Sequence, residues 1–124
     1  MKATLAPIVE RLGRHDLLLG DVGADARALP VDRLTSDSRR VAPGTLFCAV
    51  RGITDDGHRH LAHAAARGAT AALVESTDPL LRLPQIRVAD GRRAAAFAAA
   101  EFFGDPWEKL LLIGVTGTNG KTTT

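Results

Sequence analysis

The sequence predicts an α/β fold, in which a small mixed sheet with flanking helices is followed by the first strand and phosphate-binding loop of a second domain. Segments with helical periodicity alternate with short apolar segments that are typical of strands. The segment 45–50 is apolar on both faces, as expected for a strand covered by helices on each side. The segment 110–124 combines an apolar run with glycines, a lysine and threonines in the order of a phosphate-binding loop.

Composition argues against several classes of protein. The formal net charge of +2 is small, the basic residues are scattered and aromatic residues make up 4% of the chain, which argues against a nucleic-acid surface. The single cysteine, Cys48, rules out an internal disulfide bond and is expected to be a small core residue. No apolar run approaches the roughly 20 residues that span a bilayer, and the N-terminus lacks the apolar segment of a signal peptide. We therefore expect a cytoplasmic protein that binds neither membrane nor nucleic acid.

The first predicted element is an amphipathic helix. Its apolar residues follow the i, i+3, i+4, i+7 spacing of one helix face and are Leu5, Ile8, Val9 and Leu12. We expect Thr4 to cap its first turn and Gly13 to end it. Segments 17–20 and 23–30 show no clear pattern and are expected to form a loop, with a short strand as the alternative.

Between residues 31 and 103 the pattern predicts four strands and two helices. The predicted strands are 31–38, 45–50, 70–75 and 85–89, and the predicted helices are 58–67 and 91–103. The inward face of helix 58–67 is expected to carry Leu61, Ala62, Ala65 and Ala69. Asp90 can cap helix 91–103, whose stretch 94–100 is apolar nearly all round and should be well buried.

The segment Gly104-Asp-Pro-Trp107 breaks this pattern and predicts a domain boundary. The chain is therefore divided into a first domain over residues 1–105 and the start of a second domain over residues 106–124. A phosphate-binding loop normally precedes a helix that packs on its sheet. We therefore expect the chain to be the N-terminal part of a longer protein.

The second predicted domain opens with an apolar strand over residues 110–115 that runs into the candidate phosphate-binding loop. Gly117 and Gly120 allow successive backbone N–H groups to converge on phosphate oxygens. Lys121 can place a positive charge on the outer phosphates, and the Thr122 hydroxyl can bind Mg²⁺. The glycines are displaced from the general pattern G-x-x-x-x-G-K-[ST], and an Asn-Gly hairpin turn is the alternative. A hairpin explains neither the lysine and threonine nor the non-alternating strand before them.

The sequence Thr116-Gly-Thr-Asn-Gly-Lys-Thr-Thr-Thr124 resembles the ATP loop of the Mur ligases, cytoplasmic enzymes that add amino acids stepwise to UDP-N-acetylmuramic acid during peptidoglycan synthesis. Folylpolyglutamate and cyanophycin synthetases carry a related loop, so this motif indicates only the superfamily. Three further segments resemble the N-terminal domain of the third-step ligases, which add diaminopimelate or lysine. They are Asp37-Ser-Arg39, Pro43-Gly-Thr-Leu-Phe-Cys-Ala49 and Gly52-Ile-Thr-Asp-Asp-Gly57.

The resemblance implies that the first domain holds the uridine nucleotide of UDP-N-acetylmuramoyl-L-alanyl-D-glutamate. The matching residues are Ser36, Ser38 and Arg39 on the uracil and ribose side, and Ile53, Thr54 and Asp55 on the diphosphate side. From the residues alone, segment 35–39 is explained slightly better as a solvated turn, because serine and aspartate favour turns by bonding their own backbone.

The resemblance also implies ATP and Mg²⁺ as cofactors. The ATP-binding residues would be Gly117, Thr118, Asn119, Gly120, Lys121, Thr122 and Thr123. Lys121 would be the catalytic residue and Thr122 the Mg²⁺ ligand. ATP would phosphorylate the side-chain carboxylate of D-glutamate, and the amine of the diamino acid would attack the acyl phosphate. The amino-acid pocket would lie beyond Thr124, so we expect the chain alone to be inactive and the enzyme to be a monomer.

Two other functions remain open on the sequence. A fourth-step Mur ligase, which adds D-alanyl-D-alanine, shares the Asp-Ser-Arg and Leu-Phe segments, but its phosphate loop usually differs. A non-catalytic module that binds nucleotide sugars would lack the downstream domains. A metal site at His58, His60 and His63 is the weaker interpretation of these residues, because no cysteine or carboxylate completes a convincing ligand set. We expect solvated or capping histidines instead.

Overall fold

The computed structural model describes residues 3–52 and 55–103, and this part of the chain contains two sheets. Strands β1 (Ala3–Thr4) and β2 (Pro30–Val31) form an antiparallel pair. The next four strands are parallel and lie side by side in the order β3 (Arg33–Thr35), β4 (Thr45–Cys48), β5 (Ala71–Val74) and β6 (Gln85–Arg87). The predicted α/β class is confirmed, with the parallel and antiparallel pairings in separate sheets.

Four α-helices accompany the sheets within the described residues: α1 (Ala6–Arg14), α2 (Ala24–Arg27), α3 (Leu61–Ala66) and α4 (Gly91–Phe103). Two 3₁₀ segments, Ser38–Arg40 and Gly57–His60, lie in the connections that leave β3 and β4. Both segments therefore follow the carboxyl ends of parallel strands, which is where α/β sheets place their binding sites. None of these helices is long and apolar enough to cross a membrane.

The parallel sheet is covered on both faces, and β4 shows this most clearly because all four of its residues are buried. Leu46 and Cys48 belong to the core cluster formed with α1 and α4, whereas Phe47 packs in the cluster that contains residues of α3. β4 is therefore an interior strand with apolar residues on both faces, as the sequence predicted. Cys48 is 1% exposed, which confirms that it is a core residue, and this burial raises the pKa of its thiol to about 12.

Helix α1 begins and ends differently from the prediction. Thr4 does not cap it, because Leu5 occupies the N-cap position and Thr4 pairs with Pro30 in the β1–β2 sheet. The helix continues through Gly13, and the chain reverses at Asp16, whose φ is 58°. The N–H groups of Asp16 and Leu17 donate to the carbonyls of Gly13 and Leu12, which forms a Schellman end. The predictions that Thr4 caps this helix and that Gly13 ends it are therefore wrong. Leu17, which follows the observed helix end, is buried.

The segment predicted as one strand over 31–38 is divided into β2, β3 and a 3₁₀ segment. Asp32 separates the two strands, and the N–H groups of Asp32 and Arg33 both donate to the carbonyl of Gly44, at 2.8 and 3.4 Å. This shared acceptor turns the chain away from β1 and into the parallel sheet. The prediction of a single strand was wrong because the hydrophobic pattern does not show which neighbour each half will pair with.

The segment after α1, for which the sequence showed no clear pattern, covers part of the edge of the parallel sheet. Leu18 forms an antiparallel bridge with Val88, and the Leu19 N–H donates to the Arg87 carbonyl at 2.9 Å. The bond from Leu19 pairs the Arg87 carbonyl, which would otherwise be unpaired at the edge of the sheet. The same stretch contains α2, which the sequence analysis did not predict.

The predicted helix 58–67 is a 3₁₀ segment followed by the shorter α3. Of its expected inward residues, three contact the core: Leu61, Ala65 and Ala69. Ala62 is exposed and Ala64 is buried in its place, so the prediction was wrong at that position. The physical reason is that Ala64 follows Leu61 by three residues, which places both on one face of the helix.

Helix α4 has the predicted start and cap, and it reaches Phe103, the last described residue. Asp90 Oδ1 accepts the N–H groups of Arg92 and Arg93 at 3.1 and 3.2 Å. Its buried alanines are Ala94, Ala95, Ala98, Ala99 and Ala100, which confirms the expected burial of this stretch. The predicted domain boundary after residue 105 and the predicted strand over 110–115 lie outside the described residues.

Candidate functional site

A cleft of about 580 Å³ lies where the chain leaves β3 and β4. Its lining residues are Ser36, Asp37, Ser38, Arg39, Asp55, His60 and His63. The structure therefore brings together the two segments that the sequence analysis assigned to one substrate site. Four of the predicted substrate-binding residues line the cleft, namely Ser36, Ser38, Arg39 and Asp55. The other two, Ile53 and Thr54, lie outside the described residues.

Asp37 and Arg39 form a two-point ion pair in the cleft lining. Arg39 Nε and Nη2 donate to different carboxylate oxygens of Asp37, each at 3.0 Å, and the Arg39 backbone N–H adds a third bond at 3.0 Å. The side-chain hydrogen bond from Arg39 is the main reason that the pKa of Asp37 falls from 3.8 to about 2. Because Asp37 offsets the charge of Arg39, the pair suits a neutral base or sugar better than a phosphate. The sequence analysis placed Asp37 in a turn but did not assign it to the site.

We expect the Asp37–Arg39 pair to stabilise the fold except in acid. A carboxyl whose pKa is lower in the folded chain contributes stability above its unfolded pKa and loses it as the pH falls through the folded value. The contribution of Asp37 should therefore be complete above pH 3.8 and disappear as the pH falls to about 2. Carboxyl NMR should place its midpoint near the lower value, and Arg39→Gln should move it back toward 3.8. A wild-type midpoint at 3.8 would contradict the pair.

Ser38 is the buried residue of the cleft lining, with 6% of its surface exposed. Its Oγ lies 3.0 Å from His63 Nδ1, so a hydrogen bond links the 3₁₀ segment after β3 to helix α3. Ser36, by contrast, is exposed. A serine hydroxyl has one donor and two acceptor positions, so Ser38 retains hydrogen-bonding capacity for a ligand beside its bond to His63.

Asp55 enters the cleft from the loop that follows β4. His60 Nε2 lies 2.6 Å from Asp55 Oδ2, and Arg59 Nη1 lies 3.8 Å from Oδ1. The hydrogen bond with His60 is the main cause of the lowered pKa of Asp55. Since these side chains are exposed, the pairs add little to the free energy of unfolding, and their main effect is to orient Asp55.

The three histidines of this region all have protein partners; His60 and His63 are also accessible to solvent, as expected, whereas the His58 side chain is 13% exposed. His60 contacts Asp55, His63 contacts Ser38, and His58 contacts Asp56 and the backbone N–H of Glu75. The described residues hold no cluster of three or more candidate metal ligands. The sequence analysis missed His60 and His63 as cleft residues, although their i, i+3 spacing was an available signal that they share a face.

The predicted nucleotide loop is not part of the described structure. The ATP-binding candidates outside the described residues are Gly117, Thr118, Asn119, Gly120, Lys121, Thr122 and Thr123. The assignment of Lys121 as the catalytic residue and of Thr122 as the Mg²⁺ ligand therefore continues to rest on the loop sequence.

Comparison with known proteins gives consistent results. A family model described as "Mur ligase family, catalytic domain" matches residues 30–103. The "UDP-N-acetylmuramoyl-L-alanyl-D-glutamate--2,6-diaminopimelate ligase" of Chlorobium phaeobacteroides is 51% identical over 110 residues, which cover 86% of this chain and 22% of that protein. The protein of the same name from Geobacillus kaustophilus is 53% identical over 92 residues, covering 73% of this chain and 18% of that protein. The chain thus spans about a fifth of the length of these curated relatives.

Solved structures show a similar fold. A crystal structure of MurF from Acinetobacter baumannii matches 81% of this chain and 21% of its own, with a TM-score of 0.62 and 23% identity. The MurF ligase from Thermotoga maritima in complex with ADP matches 59% of this chain and 17% of its own, with a TM-score of 0.52 and 29% identity. The match to the Acinetobacter baumannii structure establishes the fold. The match to the Thermotoga maritima structure adds a relative that was crystallised with ADP.

Proposed function

The chain belongs to the Mur ligase family, and from this premise we propose that residues 1–105 form the uridine-nucleotide-binding domain of an ATP-dependent ligase of peptidoglycan synthesis. The complete enzyme adds meso-diaminopimelate, or L-lysine, to UDP-N-acetylmuramoyl-L-alanyl-D-glutamate. The names of the relatives favour diaminopimelate over lysine and the third step over the fourth. In keeping with this reaction, we place the enzyme in the cytoplasm as a monomer.

The observation that carries the proposal is the cleft that joins the segment after β3 to the loop after β4. It combines the hydroxyls of Ser36 and Ser38 with the charged groups of Arg39 and Asp55. Hydroxyls can donate to the carbonyl oxygens of uracil and accept from its N–H, and they can also bond the ribose hydroxyls. The cleft volume of about 580 Å³ lies within the range of small-molecule sites, roughly 300–1,000 Å³.

The loop over residues 116–124 supports ATP as the second substrate and Mg²⁺ as its metal ion. In the proposed reaction the γ-phosphoryl group moves from ATP to the D-glutamate side-chain carboxylate, which gives ADP and an acyl phosphate. The amine of the diamino acid then attacks the acyl carbon, an amide bond forms and phosphate leaves with the electron pair of the broken C–O bond. Lys121 supplies positive charge to the transferring group, and the hydroxyl oxygen of Thr122 is a ligand of the kind that Mg²⁺ prefers.

A non-catalytic module that binds nucleotide sugars is the second candidate function. The cleft alone would suit such a module, since it contains all the predicted substrate-binding residues that lie within the described part of the chain. The loop sequence and the length of the relatives favour the ligase. An assay of the full-length protein for ADP release that depends on both the UDP-dipeptide and the diamino acid separates the two functions.

The uridine assignment predicts that Ser38→Ala weakens UDP binding to the 124-residue chain. The expected loss is about 1 kcal/mol, the net contribution of one hydrogen bond, which is about fivefold in Kd. An NMR titration of the wild type should show shifts clustered at residues 36–39 and 52–57 with UDP and little response to ADP.

Ser76→Ala is the matched control, because Ser76 is exposed and does not line the cleft. It should bind UDP as the wild type does. If UDP leaves the cleft amides unchanged in the wild type, or if ADP shifts them equally, the assignment of a uridine pocket is wrong.

A further inference from the structure

His58 joins two connections of the fold although it does not line the cleft. Its Nδ1 lies 2.7 Å from Asp56 Oδ1, and its Nε2 accepts the backbone N–H of Glu75 at 2.8 Å. The side chain is 13% exposed, so water competes little with these bonds. We call the bonded set Asp56, His58 and Glu75 the His58 bridge. It connects the loop after β4 to the chain that leaves β5.

The bonds of the His58 bridge determine the tautomer of the ring. A backbone N–H can only donate, so Nε2 must carry the lone pair that accepts from Glu75. In a neutral imidazole the proton then resides on Nδ1, which donates to the Asp56 carboxylate. The same carboxylate oxygen accepts the His58 backbone N–H at 3.0 Å, so Asp56 is held by side chain and backbone together.

A second set of bonds supports the same loop. Arg51 Nε lies 3.5 Å from Asp56 Oδ2 and 3.4 Å from Glu75 Oε1, and Glu75 Oε2 accepts the Gly91 N–H at 2.6 Å. Arg51 also pairs with Asp56 through an antiparallel bridge at the base of the loop. The loop is therefore anchored at Asp56 to the end of β5 and to the start of α4.

Asp55, which lines the cleft, is the direct neighbour of the anchored Asp56. Its carbonyl accepts the Gly52 N–H at 2.7 Å, and the Gly57 N–H donates to the Val50 carbonyl at 2.9 Å. The described residues on either side of Asp56 are thus hydrogen-bonded to the chain that follows β4. Loss of the anchor at Asp56 would therefore allow Asp55 to move from its position in the cleft lining.

We propose that His58 is a positioning residue of the nucleotide site, which acts through Asp56 to fix the chain where Asp55 lines the cleft. This inference rests on the proposed binding of a uridine nucleotide in the cleft. His58 acts through Asp56 and does not itself touch the ligand. For this role the side chain at position 58 must accept a hydrogen bond from the Glu75 N–H and donate one to the Asp56 carboxylate.

The first test needs no ligand. Nitrogen-15 NMR of the imidazole rings in the 124-residue chain should show His58 with a protonated Nδ1 and an unprotonated Nε2 at neutral pH. The opposite tautomer, or exchange between both tautomers, would overturn the His58 bridge.

The second test compares variants by UDP titration. His58→Ala should weaken UDP binding by about tenfold, because it removes both side-chain bonds of the bridge. His58→Gln should stay within about threefold of the wild type, since an amide provides one acceptor and one donor. His15→Ala removes a histidine that stacks on Phe97 outside the cleft, and it should bind UDP normally.

Asp56→Ala removes the other partner and keeps the inference testable if His58→Ala does not fold. It should weaken UDP binding to a similar degree, and the double variant should bind no worse than either single variant, because the two residues act as one unit. Wild-type chain that fails to bind UDP would reject the proposed function. UDP binding by the wild type that neither substitution weakens, or equal loss in His58→Ala and His58→Gln, would reject the positioning role.

Discussion

Lys121→Ala is expected to lower the proposed ATP-dependent ligation by on the order of a thousandfold in the full-length protein. Phosphoryl transfer is accelerated chiefly by positioning and by positive charge placed where negative charge develops. Removal of one such group costs on the order of a hundred to a thousandfold, and a charged group at the transferring phosphoryl can be worth more. The expectation depends on the loop sequence, since Lys121 lies outside the described residues.

The measurement is the rate of ADP release with UDP-N-acetylmuramoyl-L-alanyl-D-glutamate and diaminopimelate. Lys109→Ala is the matched control, because it removes a lysine that the phosphate-loop motif does not include. It should leave the rate within a few fold of wild type, a range of about 1 kcal/mol in the barrier. Unchanged turnover in Lys121→Ala would show that residues 116–124 are not the ATP site.

Leu46→Ala should lower the free energy of unfolding of the 124-residue chain by about 2–5 kcal/mol. Leu46 has 0% of its surface exposed, and β4 is paired on one side with β3 and on the other with β5. The truncation removes apolar contacts with the α1 and α4 cluster and leaves a cavity that an interior strand cannot close. Since small domains have roughly 5–15 kcal/mol of stability, a large part of it should be lost.

Leu80→Ala provides the same chemical change at an exposed site, because Leu80 is 90% exposed. It should change the free energy of unfolding by no more than about 0.5 kcal/mol. Urea unfolding of both variants measures the difference. Equal effects at the two sites would mean that β4 is not the interior strand of a packed core.

Several features could be predicted from the sequence because they depend on neighbouring residues. The alternation of Leu46, Phe47 and Cys48 predicted a strand buried on both faces, since successive side chains point to opposite sides of a sheet. The Asp90 cap and the start of α4 followed from the affinity of a carboxylate for the first N–H groups of a helix. The assignment of segments 36–39 and 52–57 to one substrate site came instead from their resemblance to the Mur ligases.

Other features could not be predicted because residues far apart in the chain produce them. The path of the chain after α1 depends on the bond that the Leu17 carbonyl accepts from the Ala89 N–H, and the division of segment 31–38 depends on which strand each half joins. The local hydrophobic pattern would be similar whichever neighbour the segment paired with. In each case the pairing partner, rather than the propensity of the residue, decided the structure.

The sequence by itself determined the α/β class and the interior position of β4, and its resemblance to the Mur ligases indicated that the segments after β3 and β4 share one substrate site. Tertiary structure alone decided which groups complete that cleft. His63 reaches Ser38 because the crossover from β4 returns through α3, and His58 reaches Glu75 because β4 and β5 are parallel neighbours. Parallel strands end at the same edge of a sheet, so residues separated by a whole crossover meet there, and no local pattern records that contact.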